Sequence, residues 1–125
     1  MLLVGLAGAA GAVSRYAVGL AAERALGARF AFGTLLVNVL GCLLLGALLE
    51  AERHTTMVTP PVRLLLAVGF LGAFTTFSTF GWETFRYLQA GTAHLALINI
   101  AANMLLGLGA VWAGWGLARW VATAA

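Results

Sequence analysis

Apolar residues fall into four long stretches, at residues 2–22, 32–49, 64–85 and 95–117. Each meets the roughly 17–25 residues that a helix needs to cross a lipid hydrocarbon core. Short linkers carrying helix breakers separate them: 23–31 with Gly27, 50–63 with Pro60-Pro61, and 86–94 with Gly91. The pattern predicts an all-α membrane protein of four transmembrane helices, forming a single domain over residues 1–125, with nothing left for a soluble domain. The start, MLLVGLAGAAGA, has the small residues of a secretory leader but no positively charged beginning. Arg15 and Tyr16 then follow inside a pattern that continues to Ala22, so it reads as the first span.

The third stretch departs from ordinary spanning sequence in its middle. Three threonines, one serine and three phenylalanines crowd residues 72–80, where lipid-facing leucines would be expected. Hydroxyls and unwound backbone need partners in hydrocarbon, because each unsatisfied group costs several kcal/mol. The segment therefore predicts a helix broken at its centre, lining a polar path enclosed by protein. The alternative is a continuous helix whose Ser and Thr hydroxyls bond back to the preceding turn. The other spans carry small or polar residues at helical spacing: Gly8, Ala12, Arg15 and Gly19; Thr34, Asn38 and Gly41; Asn99, Asn103, Gly107, Ala110 and Gly114. Such stripes let helices approach closely. Tyr16, Trp82, Tyr87 and Trp120 lie near span ends, where interfacial aromatics belong.

Composition narrows the function. The chain is 62% hydrophobic and 9% charged, with a mean hydropathy of +1.00, whereas a soluble domain carries about 25% charged residues. All charges are seven arginines and four glutamates. They form no basic face of the kind nucleic-acid binding requires. Cys42 stands alone inside an apolar run, and His54 and His94 are isolated between spans, which leaves no multi-cysteine metal site. An enzyme is not expected: there is no Asp, neither Ser14 nor Ser78 has a histidine in a span beside it, and without lysine there is no GxxxxGK[ST] loop.

The polar groups at membrane depth are Arg15, Thr34, Asn38, Thr75, Thr76, Ser78, Thr79, Asn99 and Asn103, with Glu83 toward the end of its span. Intramembrane polar groups are functional candidates by default. Most of these donate hydrogen bonds and Arg15 adds positive charge, which suits a small anion better than a cation. Aromatic rings have a positive edge. Phe77 and Phe80, presented edge-on beside the Asn38 amide, would therefore stabilise a partly dehydrated anion while letting it leave; the alternative is that both rings only fill core space.

Four spans put both termini and the 50–63 linker on one side. Arg53, Arg63 and Arg119 lie on that side, and Arg24, Arg29 and Arg86 on the other. The positive-inside rule then has no preference. Insertion in both directions becomes possible, and with it an antiparallel homodimer.

Three segments carry a family resemblance: GAAGAVSRY at 8–16, FGTLLVNVLGCLLLG at 32–46 and GFLGAFTTFSTFGWE at 69–83. In this order and at this length the chain resembles the CrcB/Fluc fluoride channels over essentially its whole extent. The resemblance implies a dual-topology antiparallel homodimer with two pores, in the plasma (inner) membrane, that passively exports fluoride from the cytoplasm. It implies a fluoride pathway in which Phe77 and Phe80 are similar to paired pore phenylalanines and Asn38 to a pore-lining asparagine. Thr76, Ser78 and Thr79 would belong to its polar path, and Arg15 to its vestibule. It also implies a structural Na+ at the dimer centre, held by the backbone carbonyls of Gly72 and Thr75, a ligand set suited to a hard cation. Relatives often use hydroxyl residues along the fourth span, where this chain has Asn99, Asn103 and Gly107; Asn103 is the residue assigned to the pathway. The competing readings are a small dual-topology multidrug exporter, which would want a carboxylate where the first span has Arg15, and a membrane scaffold that transports nothing.

Overall fold

The computed structural model describes residues 1–124, which are helical apart from short connections. Helix α1 (Leu2–Leu26) stops at Gly27, which takes a left-handed φ of 82° and donates its N–H to the Glu23 carbonyl. Helix α2 (Phe32–His54) ends at extended Thr55. The third span runs from Pro60 to Gln89. It opens with α3 (Pro60–Arg63), where proline occupies the first turn and its missing N–H leaves no bond unmade. The backbone then widens into a π-helix over Leu64–Leu71, narrows to α4 (Gly72–Phe74), breaks at Thr75 and Thr76, and resumes as α5 (Phe77–Gln89). Gly91, with φ 71°, turns the chain into α6 (Ala93–Ala124). At about 1.5 Å per residue the 32 residues of α6 reach about 48 Å, well beyond a hydrocarbon core of about 30 Å.

All four spans are long and apolar enough to cross a membrane. Their helices run past the apolar stretches that predict them, to Leu26, His54, Gln89 and Ala124, because polar residues at span ends prolong a helix without having to enter lipid. On the side of the 50–63 linker these extensions are laced together: Glu50 forms an ion pair with Arg53 at 3.7 Å and a hydrogen bond with His54 at 3.0 Å, and Glu52 forms an ion pair with Arg63 at 3.6 Å.

Glycine sets the packing of the longest helix pair. α2 lies along α6 as the most extensive contact in the chain. A Cβ on Gly46 would collide with the Val111 carbonyl, and one on Gly114 with the Leu43 carbonyl. α1 packs against the first half of the third span in the same way, with Gly11 against the Phe70 carbonyl. The small buried core is Val37, Leu71 and Phe74, wrapped by Val18, Leu45, Leu48 and Phe70. It lies directly beneath the break. Large apolar side chains cover the outside instead, among them Leu97, Leu105, Leu108 and Trp112, as expected where lipid or another chain is the solvent.

Candidate functional site

The break is a local consequence of threonine chemistry. Both the N–H and the Oγ1 of Thr75 donate to the Leu71 carbonyl, each at 3.0 Å. Back-bonding of a hydroxyl to the preceding turn thus does occur, but it ends the helix instead of continuing it. Thr75 and Thr76 then take extended backbone, with φ/ψ of −87°/161° and −153°/116°. Thr76 restarts the helix as its N-cap, its Oγ1 accepting from the Thr79 N–H at 3.2 Å. The same hydroxyl donates to Thr79 Oγ1 at 3.0 Å and lies 3.3 Å from Ser78 Oγ.

Two side chains from other helices hold the opened backbone. Asn38 grips the Thr76 peptide on both sides: its Oδ1 accepts from Thr76 N at 2.9 Å and its Nδ2 donates to Thr76 O at 3.2 Å. From α1, Arg15 Nη1 reaches the Thr75 carbonyl at 3.4 Å. Asn38 thereby supplies the acceptor that the Gly72 carbonyl would give Thr76 in an unbroken helix. Among the described residues no hydrogen bond reaches the Gly72 carbonyl.

The Asn38 amide has a third partner, Asn103 Oδ1 on α6, to which Nδ2 donates at 3.0 Å. Both of its protons therefore point at protein acceptors. Next to this cluster the aromatic pair divides in two. Phe80 is 7% exposed and Phe77 77% exposed, yet their ring centroids are 5.5 Å apart at an interplanar angle of 52°. Ser78 and Thr79 are exposed along with Phe77. In this single chain the break thus has a sealed side facing α2 and α6, and an open side carrying the Phe77 ring and the Ser78 and Thr79 hydroxyls.

A cavity of about 300 Å³ runs from the break, lined by Arg15, Tyr16, Thr34, Thr76 and Thr79. It shares Tyr16, Gly19, Gly33 and Thr34 with a wider crevice of about 690 Å³, which opens past Glu83 to Glu23, Arg29 and Arg86. At the junction Thr34 Oγ1 donates to Glu83 Oε1 at 2.7 Å, while Glu83 Oε2 is buried with no partner among the described residues. Two adjoining cavities thus lie between the Thr76 cap and a mouth bearing Glu23, Arg29 and Arg86.

The residues singled out in the sequence gather here. Arg15, Asn38, Thr75, Thr76, Thr79, Phe80 and Asn103 converge on the break, Gly72 precedes it, and Ser78 and Phe77 occupy its open side. The Thr34–Glu83 contact had only a weak signal, two polar residues at membrane depth on different spans. Thr84 had none, since a threonine one turn from a span end is ordinary. Asn99 stood on the same stripe as Asn103 without a distinguishing feature.

Comparison with known proteins locates this arrangement. Residues 2–115 match the family described as "CrcB-like protein, Camphor Resistance (CrcB)". A protein of Geobacter sulfurreducens named fluoride-specific ion channel FluC is 43% identical over 114 residues, 91% of this chain and 92% of its own length. Proteins of the same name from Solibacter usitatus and Acidobacterium capsulatum are 42% and 45% identical, over 94% and 90% of this chain and 97% and 90% of their own lengths.

Proposed function

Because the chain belongs to the CrcB-like family, we infer that it is a fluoride-selective channel that passively exports the anion, and not an enzyme. The observation that carries the reading is the break itself: at mid-membrane a helix is opened by two threonines, and amide, hydroxyl and guanidinium donors converge on it beside a buried ring. Fluoride is small and holds its hydration water tightly, so a conducting site must replace that water with short donor contacts. Hydroxyls on Ser78 and Thr79 supply them on the open side and that of buried Thr76 from the cavity beside the break, and the positive edges of Phe77 and Phe80 add a weak electrostatic contribution that does not trap the ion. An ion accepting from Asn38 Nδ2 takes the place of Asn103 Oδ1. Arg15 raises the local anion concentration by its charge.

Export follows from acid–base chemistry. Undissociated hydrogen fluoride crosses lipid and dissociates in a near-neutral cytoplasm, and the trapped anion leaves through a pore down its electrochemical gradient. The reading includes the inner membrane as the location and an antiparallel homodimer as the working unit. Phe77 is 77% exposed next to exposed Ser78 and Thr79, a surface that a second copy would complete. The balanced arginine distribution supports insertion both ways.

A structural Na+ at the centre of that dimer is part of the proposal. The residues fit it: the break frees the Gly72 carbonyl, and the Thr75 carbonyl, approached by Arg15 at 3.4 Å, has a second lone pair. These are neutral oxygen donors, as a hard monovalent cation prefers. When bound, the ion would neutralise carbonyl dipoles that hydrocarbon cannot solvate. Purified protein in liposomes loaded with potassium fluoride tests the whole reading. Electrogenic fluoride efflux with little chloride efflux is expected, and no fluoride efflux from the pure protein refutes it.

A further inference from the structure

Behind the Asn38–Asn103 contact lies a buried polar chain. Asn99 is 0% exposed and Asn103 7%. Asn103 Nδ2 directs both its protons at Asn99, to the carbonyl at 3.0 Å and to Oδ1 at 3.1 Å. Asn99 Nδ2 donates to Thr84 Oγ1 at 2.9 Å, and that hydroxyl donates to the Phe80 carbonyl at 2.8 Å. Each link fixes the next. With its amino group turned to Asn99, Asn103 offers Oδ1 to Asn38 Nδ2, which leaves Asn38 Oδ1 facing the Thr76 N–H. Rotating one amide by half a turn would bring two donors or two acceptors face to face; the Asn99 carbonyl and the Thr76 peptide anchor Asn103 and Asn38 from the backbone, and the Thr84–Asn99 link holds a second Asn103 proton in the same orientation.

Both ends of the chain attach to the same short segment. One is the Thr76 peptide and the other the Phe80 carbonyl; between them lie the residues presented to the open side. We propose that Thr84 and Asn99 are positioning residues of the ion pathway: without contacting the ion themselves, they lock the Asn103 and Asn38 amides in one direction and thereby hold the placement of Phe77 and Phe80. The inference rests on the channel reading above. A merely structural role makes a different prediction, because buried polar packing would affect assembly and would not act specifically through Asn103.

Fluoride efflux from liposomes reads the difference, with dimer content of each preparation checked by cross-linking. Thr84→Val keeps the shape and removes the hydroxyl. It is expected to lower efflux about tenfold, the weight of one ordinary hydrogen bond, in protein that still assembles. Thr84→Ser is expected to restore most of it, and Asn99→Leu to match Thr84→Val or exceed it. In an Asn103→Ala background, where the relay is already cut, Thr84→Val should lower efflux no further than about twofold. Wild-type protein without efflux overturns the channel reading and this inference together. Wild-type efflux left intact by Thr84→Val and Asn99→Leu overturns the inference alone. Losses that multiply with Asn103→Ala, or a Thr84→Val protein that fails to assemble, also overturn it by assigning Thr84 a packing role.

Discussion

Asn38→Leu removes the one side chain that holds the Thr76 peptide from both sides, with little change of volume. Three groups lose their partner: the Thr76 N–H bound at 2.9 Å, the Thr76 carbonyl at 3.2 Å and Asn103 Oδ1 at 3.0 Å. Thr76 and Asn103 are 8% and 7% exposed, so water does not replace what is lost. Each buried group left unsatisfied costs about 1–3 kcal/mol, while a leucine side chain at this half-buried position recovers about 1–2 kcal/mol. The net penalty for keeping the break open is therefore about 1–8 kcal/mol. The cheapest relief is to close it, since the Thr76 N–H can return to the Gly72 carbonyl, its partner in a continuous helix.

Closing the break has a geometric consequence. Two residues passing from extended to helical backbone shorten the chain from about 3.3 to about 1.5 Å each. The total is about 3.6 Å, enough to draw Phe77 and Phe80 more than half a helical turn along the axis and away from Asn103. A penalty of about 2 kcal/mol, toward the low end of that range, leaves about one channel in thirty open where the two backbones are otherwise equal in energy. Fluoride efflux from Asn38→Leu proteoliposomes is thus expected to fall about thirtyfold while the dimer still forms, with the Thr76 amide gaining protection from hydrogen exchange. Efflux within twofold of wild type would refute the claim that this amide holds the break.

Three further outcomes are expected. Phe80→Ile and Phe77→Ile each lower fluoride efflux about tenfold or more without loss of the dimer, because an aliphatic side chain has no positive edge; unchanged efflux in both excludes a role for the rings. Gly114→Val places a side chain on the Leu43 carbonyl and, by overpacking the α2–α6 contact, destabilises the protein by about 1–3 kcal/mol or prevents folding. Gly109→Ala, with nothing within 4 Å of the added carbon, leaves thermal unfolding in detergent unchanged or raised. Two arginines added to the turn around Gly91 fix the orientation of insertion. The variant alone then fails to protect cells from fluoride, and co-expression with one biased the other way restores growth; protection by the single variant would argue against dual topology.

The spans and the position of the break are legible because lipid enforces strict rules. A stretch without charge must cross, and hydroxyls at its centre must be satisfied, so residues 72–80 announce an irregularity wherever the rest of the protein lies. Sequence periodicity also brings out the stripe that includes Asn38. It does not say which way an amide points. From the pattern, Asn38 reads as a donor offered to an ion, whereas in the structure it is first a surrogate backbone partner for Thr76. That role depends on α2 passing beside the third span, with Gly41 against Thr75. The Thr84–Asn99 link is invisible for the same reason, since its two residues become neighbours only when α5 folds back along α6. Glu83 is legible as a semi-buried acid, but not as the partner of Thr34 on another helix.

The division of the site into a sealed and an open side bears on how such a pore conducts. On the sealed side every amide proton of Asn38 and Asn103 already has an acceptor, so an anion gains there only the difference between itself and a carbonyl oxygen. That difference is small, and it favours rapid passage over tight binding. On the open side the exposed hydroxyls of Ser78 and Thr79 can rotate, and a hydroxyl re-aims its proton without moving its oxygen. On the channel reading proposed above, matched amides on the buried side of the break and rotating hydroxyls on its exposed side give an ion donors at successive positions and a deep well at none.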